Sequence, residues 1–285
     1  MNSETVKFVV HQVADRIGLA INARLVKSND GQICECVPAD GHPNESFAIR
    51  FTLNWRSAEA VFVPGQFSAA LIQQMGNAAA DGRQTFASFA KGFEMKRIRI
   101  QMRVNGGDVN PSDPSGWPDS WQRLELSLRT PPLVIEQQDE ALSEKLVLEL
   151  VVPFFGMIAA LIGVEENEPE TTGETEGRAV LTIGVRYERK KINREACIQL
   201  KGSRCHACGF DFAETYGPIG IGYIEIHHVK PIATLGADYR LNIETDLVPL
   251  CGNCHAMAHR ENPPIPVETL KSLVDERRKA AATLQ

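Results

Sequence analysis

An α+β protein in two domains is what this sequence predicts: a mixed helix-and-strand domain over residues 1–164, an acidic linker over 165–177, and a smaller C-terminal domain over 178–285. Three observations lead there. Strand-like alternation and helix-like periodicity are interleaved through the first 134 residues, without an internal repeat. The run Glu165 to Gly177 is glutamate-rich, holds Pro and Gly and lacks aromatic residues, the composition of a solvated linker. Beyond it stand two Cys-x-x-Cys pairs, Cys205/Cys208 and Cys251/Cys254. That spacing suits a tetrahedral structural zinc site, because each tight turn presents two thiolates from one side.

In chain order, Val6, Val9, Val10, Val13, Ile17 and Ile21 recur at helical spacing, a stripe that ends at Gly18 or just past it. Segments around 33–37, 47–55 and 58–63 carry the β-branched and aromatic alternation of strands, and Pro64-Gly65 is a turn. Residues 67–80 predict a helix with Leu71, Ile72 and Met75 on one side, stopped by Asp81-Gly82, and 84–90 a further short helix. Residues 94–104 predict a strand; Leu124, Leu126 and Leu128 alternate with polar residues to form its hairpin partner beyond a Gly- and Pro-rich loop. Residues 146–164 are nearly all apolar, long enough to raise a membrane span. Glu149 and Pro153 interrupt the run and no basic residue follows Lys145 as an anchor, so a core or dimer-packing helix is the better reading. The C-terminal domain opens with a strand over 179–187 and a helix over 193–201 that ends at Gly202.

A chain of 285 residues can build two modest cores. Its seven cysteines do not form a disulfide scaffold: four fall in the zinc pattern, leaving Cys34, Cys36 and Cys197. Reduced thiols and an N-terminus without an export signal predict a cytoplasmic protein. The net charge of −6 is segregated. From Arg178 onward there are 15 Lys+Arg against 12 Asp+Glu, a local +3, whereas residues 1–165 come to about −4. A basic surface on one domain is enough to hold phosphates.

The 42 residues between Cys208 and Cys251 are too many for a compact zinc ribbon. Within them, Gly222-Tyr223-Ile224-Glu225-Ile226 alternates as a strand and leads into His227-His228, whose side chains then point to opposite faces. Glu225 shares a face with His227. His255 and His259 are spaced i, i+4 in a helix-forming segment and share one face. A strand-borne histidine and two helix-borne histidines make a workable cage for a divalent ion.

These residues resemble an HNH endonuclease domain of the ββα-metal fold with a four-cysteine zinc, in particular those of modification-dependent restriction endonucleases. The matching text is Tyr187-Glu188-Arg189, Asn193-Arg194, Cys205-x-x-Cys208-Gly209-Phe210-Asp211-Phe212, Glu225-x-His227-His228-x-x-Pro231, Asp246-Leu247-Val248-Pro249-Leu250-Cys251 and Asn253-Cys254-His255-Ala256-Met257-x-His259-Arg260. The resemblance implies a DNA endonuclease. In it His228 is the general base, and His227, His255 and His259 hold a catalytic divalent metal: magnesium, manganese, nickel or zinc. Many relatives carry Asn where this chain has Asp246, which leaves the orientation of His228 open, with Asn242 and Asn253 as candidate amides.

Arg189, Lys190, Lys191, Arg194, Lys230 and Arg260 are candidate DNA contacts, with Lys201, Arg204 and Arg240 nearby. In the N-terminal domain, Arg97, Arg99 and Arg103 are another such set, and Trp55, Trp117 and Trp121 are candidate base-stacking groups whose commoner fate is core packing. Three partner schemes follow: DNA alone, a homodimer that cuts both strands, or a ligand or protein that binds the N-terminal domain and switches the nuclease on. A DNA-binding protein without cleavage is the further alternative; the four histidines together argue against it.

Overall fold

Asn2 starts the first helix, its Oδ1 accepting from Thr5 N at 2.9 Å in a capping box, and Gly18 ends it in the left-handed conformation at φ 76°. This is α1 (Ser3–Ile17), whose stripe of Val9, Val13 and Ile17 is buried. The computed structural model describes residues 1–28, 31–40, 42, 44–133, 140–163, 189–229, 241–261 and 263–283, and divides into two units, Met1–Ala196 and Cys197–Gln285. The expected acidic linker and the expected strand over 179–187 lie outside the described residues.

The first unit is built on a seven-stranded sheet. In chain order come β1 (Ile21–Ser28), β2 (Gly31–Pro38), β3 (Phe47–Leu53), β4 (Ala58–Pro64), α2 (Ala69–Gly76), α3 (Ala80–Met95), β5 (Arg99–Val104), β6 (Gly107–Asp108) and β7 (Leu124–Arg129). The strands pair antiparallel in the order β1-β2-β3-β4-β7-β5-β6. The chain then forms α4 (Glu140–Leu146), a π-turn over Val147–Val151, and α5 (Val152–Ile162). Pro153 has no N–H for the carbonyl of Glu149, and the wider turn, with Val152 N bonding Val147 O, absorbs that gap.

One face of the sheet is covered. Cys34, Cys36, Ile49, Phe51, Ala60, Phe62, Leu126 and Leu128 are buried beneath the helices, and the Phe47 ring lies 6.2 Å from that of Phe155 on α5. Every residue of α5 is buried, packed against α1, α2 and α3. The stretch Ala141–Ile162 is the one described helix long and apolar enough to cross a membrane, and 83% of its most apolar window is inside the protein. Its hydropathy is that of a core helix.

Several expected boundaries move. Ile21 closes no helical stripe; after the turn at Gly18 it opens β1, which the sequence pattern had not shown. Asp81-Gly82 does not stop a helix but sits in the first turn of α3, Asp81 Oδ1 accepting from Gly82 N at 2.8 Å. Gly82 is required by packing: a Cβ there would lie 2.4 Å from the Ala160 carbonyl oxygen of α5. Residues 94 and 95 belong to α3, and the strand begins only at Arg99, after Arg97 turns the chain at φ 58°.

Helix α6 (Arg189–Lys201) contains the division between the units and ends at Gly202, φ 79°. In its first-unit portion, Glu195 Oε2 accepts from Arg16 Nε at 3.0 Å with both side chains buried. The second unit then comprises α7 (Phe212–Tyr216), β8 (Glu225–His228), α8 (Ile243–Asp246), β9 (Leu247–Leu250), α9 (Gly252–Ala258) and α10 (Val267–Thr283). β8 and β9 pair antiparallel, with His227 opposite Val248 and His228 opposite Leu247. The core of this unit is small, and Cys205, Cys251 and Cys254 are members of it beside Ile224, Leu250 and Leu270.

Candidate functional site

Two ligand clusters share the β8–β9–α9 module. In the first, the sulfurs of Cys205, Cys208, Cys251 and Cys254 all lie within 4.8 Å of one another, with Cys208 and Cys251 Sγ 3.7 Å apart. Gly209 at φ 74° lets the first knuckle close, its N bonding Cys205 O at 2.8 Å, and His206 N ties the knuckle to Pro249 O of β9 at 3.0 Å. The second knuckle is the start of α9, with Cys251 as its N-cap.

Four thiols at this spacing need a cation. Burial pushes Cys251 and Cys254 up, and the Cys205 sulfur beside both raises them further. Burial also acts on Cys205, but backbone amides of Cys208, Cys251 and Ala207 outweigh it and hold this thiol below its ordinary range. A zinc ion satisfies all four at once. With every position filled by protein its role is structural.

The second cluster is three imidazoles. His227 from β8, His255 from α9 and His259 at the end of α9 bring one ring nitrogen each within 4.8 Å, and the ring centroids are 4.9 to 5.2 Å apart. The rings stand nearly perpendicular, each turning an edge to a common point. His227 is 2% exposed and its Nδ1 is buried without a hydrogen-bond partner, the condition of a group shaped for a ligand. Burial, then the neighbouring His255 and His259, lowers its pKa to about 4, so the ring is neutral and able to donate a lone pair.

Strand alternation places Glu225 on the same side as His227. Its Oε2 accepts from His255 Nδ1 at 2.5 Å, fixing that ring's tautomer and leaving Nε2 as the lone-pair nitrogen. His228 points to the other face of β8 and is half-buried. Burial lowers its pKa, the Asp246 carboxylate opposes that, and His255 adds to the lowering.

Asp246 is buried and belongs to the frame around His228. Its carbonyl accepts from Val229 N at 2.8 Å, and its Oδ2 from Asn242 N at 2.7 Å. Asn242 is spent capping α8, its Oδ1 accepting from Glu244 N at 2.9 Å, and Asn253 is exposed on α9. Among the described residues neither amide shows a hydrogen bond to His228.

The candidate DNA contacts are divided between the two units. Lys190, Lys191 and Arg194 lie on the first-unit portion of α6, with Arg189 opening that helix, while Arg260 is exposed at the end of α9 and Lys230 lies outside the described residues. Two nearby bases have structural work: Lys201 Nζ bonds the carbonyls of Glu244 and Leu247 at 2.7 and 2.6 Å, and Arg204 pairs with Glu214 and Asp211. Arg103 pairs with Asp108 and Glu125. Trp117 and Trp121 are core residues in edge contact, whereas Trp55 is 80% exposed with the Arg56 guanidinium 5.1 Å from its ring centre.

A knuckle at Cys205–Cys208, two short strands and a helix together carry a cluster of four thiols and a cluster of three imidazoles, a ββα arrangement fit to bind metal. Residues 205–261 match the family HNH endonuclease, and the chain thus carries a nuclease domain of the HNH family, for which DNA is the implied substrate. No curated protein and no solved structure matches the chain.

Proposed function

We propose that the protein is a metal-dependent DNA endonuclease in which His228 is the general base and His227, His255 and His259 bind the catalytic divalent ion. The observation that carries this reading is the convergence of three imidazoles, one of which, His227, is buried with its Nδ1 unpartnered among the described residues. A divalent ion bound there supplies charge stabilisation to the scissile phosphate and the leaving oxygen. His228, on the other face of the strand and kept neutral by burial, takes the proton from the attacking water. Glu225 is a positioning residue that acts through the His255 ring. Magnesium, manganese, nickel and zinc all suit an imidazole cage.

The setting we infer is restriction of foreign DNA, including DNA with modified bases, in a reducing compartment that keeps seven cysteines as thiols. It is supported by the likeness of the Glu225-x-His227-His228 and Asp246-Leu247 text to restriction-type HNH domains.

Plasmid cleavage with added manganese or magnesium tests the reading, with wild type and His228→Ala compared on unmodified and cytosine-modified plasmid. Loss of roughly 10²- to 10⁴-fold in rate, at unchanged zinc content, is the expected result for a missing base. Equal rates for the two proteins would overturn the role of His228. A preference between plasmids would assign modification recognition.

A further inference from the structure

The face of the first unit's sheet opposite the buried Cys34, Ile49 and Leu128 has its own charge pattern. Register places Arg24, Glu35 and Arg50 side by side on β1, β2 and β3. The Glu35 side chain is only 10% exposed, and its two oxygens each hold one guanidinium: Arg24 Nη2 at 2.7 Å from Oε1 and Arg50 Nε at 2.9 Å from Oε2. One carboxylate therefore positions two cations and neutralises one of them. Hydrogen bonds from Arg24, then Arg50, keep Glu35 below the usual carboxylate range despite its burial, so the arrangement persists across ordinary pH. Both arginines remain open to solvent, their side chains 75% and 48% exposed.

One register step along, Glu59, Arg129 and Arg99 are aligned on β4, β7 and β5. Like charges directly opposite on neighbouring strands are destabilising. Arg129 Nη1 reaches Glu59 at 3.1 Å, and Arg99 has no partner among the described residues. Between the two arginine pairs lie the uncharged Thr52, Val61 and Ser127, together with Glu59. The nearest members of the two pairs, Arg50 on β3 and Arg129 on β7, are two strand spacings apart across the sheet, about 10 Å, with an offset of two residues along it, the scale of duplex groove widths of about 6 to 12 Å. With Arg103, Glu125 and Asp108 further along the same face, five arginines stand against four acids, a small local excess of positive charge on a domain that is acidic as a whole.

We propose that this sheet face binds the phosphate backbone of DNA through Arg24, Arg50, Arg99 and Arg129, an inference that rests on the nuclease reading above. Glu35 is a positioning residue for the first pair. The contact is sequence-neutral: it holds a duplex by its spaced charges and leaves base readout to other residues.

Full-length protein on a His228→Ala background, bound to a fluorescent 30-base-pair duplex over a range of KCl concentrations, tests this by anisotropy. Arg24→Ala/Arg50→Ala and Arg99→Ala/Arg129→Ala should each weaken binding roughly tenfold or more and flatten the slope of log K against log salt by about 2, one per phosphate contact. Arg→Lys at the same positions should keep the slope. Where a double variant misfolds, Arg99→Ala alone decides, since Arg99 has no partner among the described residues; a slope flatter by about 1 is expected. Unchanged affinity and slope would overturn the proposal, as would a face whose arginines alter binding only to an acidic protein. The two readings fail separately: plasmid cleavage that depends on His228, with DNA binding indifferent to these arginines, removes the sheet-face site and leaves the nuclease.

Discussion

The two units reach a stable fold by different routes. The first buries large aromatic and aliphatic side chains in quantity, with Phe51, Phe86, Phe89, Phe93, Phe154 and Phe155 fully enclosed between sheet and helices. The second has a small cluster of apolar side chains in which three zinc-pattern cysteines stand among the core members. Hydrophobic burial suffices for the first; the second has too little apolar surface and depends on its metal. In the second unit the element that closes the cysteine cluster also presents His255 and His259 of the histidine cluster.

Zinc removal should separate the units most strongly. The apparent free energy of structural zinc in small domains is about 10–16 kcal/mol, far more than a core of this size supplies. A strong chelator, or Cys254→Ser, should unfold the second unit and leave the first intact. All three tryptophans lie in the first unit, so their fluorescence should stay native while far-ultraviolet circular dichroism loses the helical signal of α9 and α10. Concerted loss of both signals would break the comparison.

The converse experiment is Phe89→Ala. Phe89 is fully buried where α3 meets α5, its ring edge 2.6 Å from the position a Cβ on Gly156 would take. Truncation should cost about 3–5 kcal/mol and lower the transition seen by tryptophan fluorescence, with zinc content unchanged.

Smaller effects sharpen the picture inside the second unit. Glu225→Gln removes the charged acceptor of His255 Nδ1 and should weaken divalent-ion binding at the histidine cluster by about 10- to 100-fold, read by isothermal titration on zinc-replete protein. Asp246→Asn should move a pH profile. The Asp246 carboxylate raises the His228 pKa against burial, so removing its charge lets that pKa fall. The base then stays deprotonated to lower pH, and the acid limb of cleavage should shift downward. An upward shift would show that Asp246 acts on His228 through geometry and not charge.

Much of the site was legible because metal chemistry is local in sequence. Cys-x-x-Cys, the strand-borne His227-His228 and the i, i+4 spacing of His255 and His259 each encode their own geometry, and only the loop closures needed the fold. The pairing of Glu225 with His255 followed the strand alternation, although which histidine it would meet depended on how α9 crosses β8. The first unit was harder wherever tertiary packing overrode local preference. Asp81-Gly82 has the composition of a helix stop, yet Gly82 is there to let two helices touch. β1 carries Asn22, Arg24 and Lys27 on an edge strand, so its alternation was diluted by charge. The role of Asp246 was hidden because its partners, Asn242 and Val229, meet only when the loop closes.

Helix α9 is seven residues long and supplies ligands to both clusters: Cys251 at its cap, Cys254 and His255 within it, His259 just beyond it. Adjacent residues on a helix are about 100° apart around the axis, so the sulfur that grips the knot and the imidazole beside it move as one body. Loss of the thiol ligands, by substitution or by oxidation, would therefore reach past the scaffold to the imidazole cluster, because one short helix carries both.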